Sequence, residues 1–126
     1  MDRGKPVTLL VVDDSLIMRK AIIKYLEDFN IEIVGTANNG DKALALFREH
    51  NPDVVTLDIT MPGIDGLYVL EEMIRINKSA KIIVITALSD KETGLKAINM
   101  GARSYLSKPF SQKKLQEIFA KMISAN

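Results

Sequence analysis

At 126 residues, 47% apolar and 26% charged, the chain has the size and composition of one domain with a packed core, which excludes a disordered segment. Its 17 Lys and Arg against 16 Asp and Glu leave a net charge of +1, so binding to nucleic acid or a membrane surface through bulk charge is excluded. Without cysteine, and with His50 as the single histidine, it has no disulfide, thiolate site, cysteine nucleophile or His-clustered zinc site.

A first strand is expected over 7–12, apolar except for Thr8, and it runs into Asp13-Asp14. A helix follows from near Ser15, with Ile22, Tyr25, Leu26 and Phe29 at i, i+3, i+4 and i+7. Ile31, Ile33 and Gly35 alternate with Glu32 and Thr36, the pattern of an edge strand. Asn39-Gly40 opens a second helix marked by Ala43, Leu46 and Phe47, and Asn51-Pro52 closes it. Strand 54–57 ends in Asp58, and the turns Met61-Pro62-Gly63 and Asp65-Gly66 lead to a third helix carrying Leu67, Leu70 and Ile74. Strand 82–85 ends in Thr86. The fourth helix rests on Leu95 and Ile98 and contains Gly94, which costs about 1 kcal/mol relative to Ala. Met100-Gly101 separates it from a brief strand over 104–106, and Lys108-Pro109 precedes a last helix with Leu115, Ile118, Phe119 and Met122.

The runs 7–12, 54–57 and 82–85 show no polar alternation beyond single threonines. Such strands are buried on both faces, as in a parallel sheet covered by helices. Five β-α units therefore predict an open, doubly wound α/β domain. It is expected to fill 1–126 as a single domain starting near Lys5, with no room for an attached output module. No apolar run approaches the roughly 20 residues of a membrane span. Asp13 and Asp14 follow the first apolar stretch too soon for a signal peptide, so a reduced, cytoplasmic location is the default expectation.

In an open α/β sheet, ligands sit outside the carboxyl ends of the strands. The first strand ends in Asp13-Asp14, the third in Asp58, the fourth in Thr86, and Lys108 soon follows the fifth. Three carboxylates, a hydroxyl and an ammonium thus converge on one crevice. Each residue has a plainer reading. Asp13-Asp14 could cap the helix near Ser15, Asp58 could be a turn residue, and Thr86 an ordinary strand residue. Lys108 could be a solvated charge, Tyr105 a cover for the sheet, and Asp65 a turn or cap residue. Those readings leave the joint placement unexplained. Crowded carboxylates repel unless a cation joins them, and an oxygen-only donor set suits Mg²⁺.

Four segments carry a resemblance: Val11-Val12-Asp13-Asp14-Ser15, Asp58-Ile59-Thr60-Met61-Pro62-Gly63-Ile64-Asp65-Gly66, Thr86-Ala87 and Lys108-Pro109-Phe110. In that order and spacing they resemble the receiver domain of bacterial two-component response regulators, along essentially the whole chain. Standing alone, the chain looks most like the chemotaxis (CheY-type) regulators. The resemblance implies a five-stranded parallel sheet in the flavodoxin-like order 2-1-3-4-5, flanked by five helices. It implies Asp58 as phosphoacceptor, and Asp14, Asp58 and the backbone carbonyl of Thr60 as Mg²⁺ ligands, with Asp13 acting through a metal-bound water. Lys108 would bind phosphate, its bond to Pro109 would be cis, and Thr86 with Tyr105 would form the switch. The implied partners are a histidine kinase as phosphodonor, a downstream protein such as a flagellar motor switch component, and a phosphatase. No turnover is implied beyond self-catalysed phosphotransfer to Asp58 and hydrolysis from it. Thr60 and Leu88 would border the approach of the hydrolytic water, and neither is suited to holding one, so hydrolysis is expected to be slow.

Other readings stay open at this point. The chain could be a phosphorelay receiver or a piece of a larger regulator. It could also be an aspartate-nucleophile phosphatase, although Thr60 stands where such enzymes have a second Asp. A flavin module of flavodoxin type is opposed by Asp13-Asp14, which would repel its phosphate.

Overall fold

Ten elements alternate strictly along the chain in the computed structural model, which describes residues 4–61, 65–87 and 90–124. They are β1 (Val7–Val12), α1 (Leu16–Tyr25), β2 (Ile31–Ala37), α2 (Gly40–His50) and β3 (Val54–Asp58). The second half adds α3 (Gly66–Ile76), β4 (Lys81–Thr86), α4 (Lys91–Met100), β5 (Ser104–Ser107) and α5 (Gln112–Ser124). The strands form one sheet in the order β2-β1-β3-β4-β5, and every neighbouring pair is parallel. This is the expected doubly wound α/β architecture. Among the described residues, no helix is long and apolar enough to cross a membrane.

Alternation along the central strands feeds two cores. Leu9, Val11, Val54, Ile83 and Ile85 pack with Ile22 and Leu26 of the α1 segment and with Leu115, Phe119 and Met122 of α5. Leu10, Val12, Val55, Leu57, Ile82 and Val84 face Phe47 of α2, Leu70 and Met73 of α3, and Ala97 of α4. Both faces of the sheet are therefore covered, which accounts for the unbroken apolar runs. The topological reversal lies at β1 and β3, because the chain builds outward from β1 to β2 and then crosses back to β3.

Several local expectations need correction. Ser15, not Asp13 or Asp14, caps α1, its hydroxyl accepting from the Met18 amide at 3.2 Å. Phe29 lies beyond the end of α1, in a turn where its amide donates to the Leu26 carbonyl. The helical spacing persists there because the Phe29 ring is held edge-on against Phe119 at 4.9 Å. In β2 the alternation breaks at a register shift, with Leu9 opposite Ile33 but Leu10 opposite Gly35. In α4 the buried positions are Gly94 and Ala97, whereas Leu95 is 50% exposed.

Candidate functional site

The carboxyl ends of β1 and β3 lie side by side, with Val12 paired to Leu57. The next residue on each strand is an aspartate, and both side chains are buried, Asp13 at 0% and Asp58 at 1% exposure. Asp14, one step further, is exposed. One carboxylate oxygen from each of Asp13, Asp14 and Asp58 falls within 4.8 Å of the others. The backbone holds this cluster firmly. The Asp13 amide donates to the Ala37 carbonyl of β2 at 3.0 Å, and the Ile59 amide donates to Ile85 of β4 at 3.0 Å.

Lys108 enters from the β5 edge of the sheet. Its backbone amide donates to the Thr86 carbonyl at 2.9 Å, and its Nζ stands 3.0 Å from both Asp13 Oδ2 and Asp58 Oδ2. The bond to Asp58 is a directed hydrogen bond. The contact to Asp13 Oδ2 is an ion pair without hydrogen-bond alignment, leaving that oxygen in need of a better partner. The peptide bond between Lys108 and Pro109 is cis.

Burial pushes the Asp13 carboxyl above its ordinary value; the Ser15 amide and Lys108 offset part of that, and neighbouring Asp58 adds to it. For Lys108, burial pulls the ammonium down, but its contacts with the Asp13 and Asp58 carboxylates outweigh that and hold it above the ordinary lysine value. One ammonium thus faces three carboxylates. A buried carboxylate oxygen without a directed donor, two neighbouring carboxylates and a donor set made only of oxygen fit a hard divalent cation such as Mg²⁺.

Asp58 Oδ1 is also engaged. It accepts the Thr60 amide at 2.9 Å and the Thr60 hydroxyl at 2.8 Å. The two-residue spacing of an Asx-turn could have disclosed this clasp. Thr86 is fully buried, and its hydroxyl lies 3.5 Å from that of Ser107, its register partner on β5. Ser107 belongs to the site although sequence reasoning did not single it out, and for Thr60 that reasoning weighed the side chain only beside the hydrolytic water, not on Asp58. Arg19 is a further case, reaching back from α1 to donate from Nη1 to the Asp13 carbonyl at 2.6 Å. No spacing rule announces a bond of that kind. Tyr105 is half-buried against the α3/α4 core, its ring lying over Gly94.

The structure therefore brings Asp13, Asp14, Asp58, Thr60 and Lys108 into one cluster, with Thr86 joined to it through the Lys108 backbone. Asp65 stands apart and caps α3, its carboxylate accepting from the Leu67 and Tyr68 amides. Leu88 lies outside the described residues, as do Pro62, Gly63 and Ile64.

Comparison with known proteins gives a consistent set of likenesses. The family model of the response regulator receiver domain matches residues 9–120. A chemotaxis protein CheY of Treponema pallidum (strain Nichols) is 38% identical over 122 residues, covering 95% of this chain and 85% of its own. The chemotaxis protein CheY of Bacillus subtilis (strain 168) is 37% identical, over 92% of this chain and 97% of its own. Among solved structures, the CheX-CheY-BeF3-Mg²⁺ complex from Borrelia burgdorferi superposes with a TM-score of 0.89 at 30% identity, covering 98% of this chain and 92% of that one. The receiver domain of AraT from Geobacillus stearothermophilus superposes with a TM-score of 0.88 at 31% identity, covering 95% of both chains.

Proposed function

The chain belongs to the response regulator receiver domain family, and from that premise we propose that it is a phosphorylation-activated signalling switch of a two-component system, with Asp58 as phosphoacceptor. The observation that carries this is the setting of Asp58. It is a buried carboxylate at the end of a central strand, with an ammonium 3.0 Å from one oxygen and two more carboxylates beside it.

In the proposed transfer, a carboxylate oxygen of Asp58 attacks phosphorus in a phosphohistidine of a histidine kinase or in a small acyl phosphate. The bond to the donor breaks, and an aspartyl phosphate forms. Asp14, Asp58 and the Thr60 backbone carbonyl would hold Mg²⁺, with Asp13 acting through a water. When bound, the cation supplies neutralisation of the phosphate charge and orientation of the donor. Lys108 already touches Asp58 Oδ2, so its compact charge needs little movement to follow a phosphoryl oxygen. The Thr60 hydroxyl must release Oδ1 if that oxygen is the nucleophile.

The output follows from Thr86. Among the described residues its hydroxyl has a 3.5 Å contact with Ser107 to give up, a weak bond beside one to a phosphoryl oxygen. Moving it displaces the end of β4 relative to β5 and changes the surroundings of Tyr105. That gives the differential contact a two-state switch requires. Likeness to chemotaxis proteins supports a role in chemotaxis, with a flagellar motor switch component as target and a phosphatase to reset the signal. The same likeness supports a cytoplasmic location and the reading of 1–126 as a single receiver domain.

Incubation with Mg²⁺ and acetyl phosphate is expected to add one phosphoryl group by intact mass, and Asp58→Asn to accept none. Equal labelling of the variant would overturn the assignment of Asp58.

A further inference from the structure

Arg19 makes a bond whose target is unusual. Its backbone amide donates to the Ser15 carbonyl at 3.0 Å as part of α1. Its guanidinium then reaches past the helix start and donates to the carbonyl of Asp13 at 2.6 Å. That carbonyl belongs to the peptide joining Asp13 to Asp14, so its direction sets the plane from which Asp14 departs. The rest of Asp13 is fixed already, its amide on Ala37 and its Oδ1 on the Ser15 amide. Asp14 is exposed, and among the described residues no hydrogen bond clasps its carboxylate. The Arg19 bond thus restrains the peptide that leads into the exposed carboxylate of the cluster, as the Ser15 amide on Asp13 restrains the peptide that follows it.

Electrostatics alone would oppose such a placement. A guanidinium close to a cation site repels the cation, and Arg stays charged at any working pH. Half-burial of Arg19 lessens the screening by solvent. A bond that costs cation affinity through charge is useful to the site only if it returns more through geometry. The guanidinium suits the task, since its donors lie in a rigid plane and a charge-assisted bond to a carbonyl is short.

We propose that Arg19 is a positioning residue for the cation site, orienting the Asp13–Asp14 peptide so that Asp14 meets the cation with Asp58. This rests on the Mg²⁺ site of the preceding subsection. Charge and position make opposite demands, which makes the claim sharply testable. Removing the guanidinium strengthens Mg²⁺ binding if its charge is what matters, and weakens it if its bond aims Asp14.

The experiment is a Mg²⁺ titration of the full chain, followed by calorimetry and by backbone amide signals, for wild type, Arg19→Met and Arg19→Lys. Arg19→Met keeps an apolar stem but has no donor. It is expected to bind Mg²⁺ about tenfold more weakly, the scale of losing a group that orients a metal ligand. Arg19→Lys keeps a charged donor and is expected to retain most of the affinity. Unchanged or tighter binding by Arg19→Met overturns the proposal, as does an equal loss in both variants, which would assign the effect to packing of α1. If Arg19→Met does not fold, Arg19→Gln takes its place in the same comparison. A wild type that binds no Mg²⁺ would defeat the cation-site reading instead. The cation-free amide signals of Asp14 and Ser15 then decide the Arg19 bond by themselves. Displacement in Arg19→Met and recovery in Arg19→Lys support it, and unmoved signals overturn it.

Discussion

Asp13 carries a heavy electrostatic burden within the site. It is fully buried, shares Lys108 with Asp58, and holds one oxygen without a directed donor. Its raised carboxyl has a consequence for stability whose sign is fixed. The native state holds the Asp13 proton more tightly than the unfolded chain does, whose value is 3.8. Below pH 3.8 the group is protonated in both states and adds no penalty. As pH rises through the raised native value, the carboxylate must charge in a buried place, and cation-free stability declines. Asp13→Asn has no such proton. In cation-free buffer, the melting temperature of Asp13→Asn relative to wild type is therefore expected to be more favourable at pH 7 than at pH 3. A difference that stays flat across that range would mean that burial of Asp13 is not costly. The same residue shows why a cation belongs here. A divalent ion bound there would neutralise this buried carboxylate.

At the scale of elements, α4 and β5 meet through an absence. A Cβ built on Gly94 would lie 2.5 Å from one ring carbon of Tyr105 and 2.8 Å from another. The ring therefore occupies space that any other residue at 94 would claim. In an exposed helix, Gly→Ala stabilises by about 1 kcal/mol through propensity. In Gly94→Ala the ring must leave first. Tyr105 is only half-buried and can turn outward, so the expected outcome is a stability near that of wild type with Tyr105 displaced to solvent. Ring proton shifts and quenching of tyrosine emission would register the displacement; an unmoved ring would show that the helix yields instead. Gly66 is a contrasting case, since its Cβ would meet backbone atoms of Ile59 at 2.3 and 2.5 Å, which cannot turn away. Sequence patterns found all ten elements because buried parallel strands and amphipathic helices have different periods. They mistook Leu95 for a core residue and counted Gly94 only as a weakness, because helical spacing does not report what stands opposite. The site was legible to a similar depth. Strand ends disclosed Asp13, Asp14, Asp58, Thr86 and Lys108, and the two-residue spacing of Asp58 and Thr60 could have disclosed their clasp, whereas the Ser107 hydroxyl and the Arg19 bond depend on side-chain directions that spacing does not fix.

For the molecule as a whole, the cation site should be felt as stability, because binding to the native state alone adds RT ln(1 + [L]/Kd), about 2.7 kcal/mol at one hundred times Kd. The native cluster is built from β1 and β3, which separate on unfolding, so the unfolded chain offers no equivalent site. Two aspartates of similar appearance in the sequence divide sharply on this point. Asp14 is exposed and makes no cap, since Ser15 has that role. Asp14→Ala is thus expected to change cation-free stability by no more than about 0.5 kcal/mol, as surface substitutions do. It should nevertheless remove most of the Mg²⁺-dependent rise in melting temperature. Asp65 accepts the Leu67 and Tyr68 amides at the start of α3. Asp65→Ala is expected to cost about 1 kcal/mol with or without Mg²⁺, the usual loss of an N-cap, and to leave the Mg²⁺ increment intact. Thermal melts of the three proteins across a Mg²⁺ series check both halves together. Equal Mg²⁺ increments in wild type and Asp14→Ala would place the cation elsewhere, and a lost increment in Asp65→Ala would tie the α3 cap to the site.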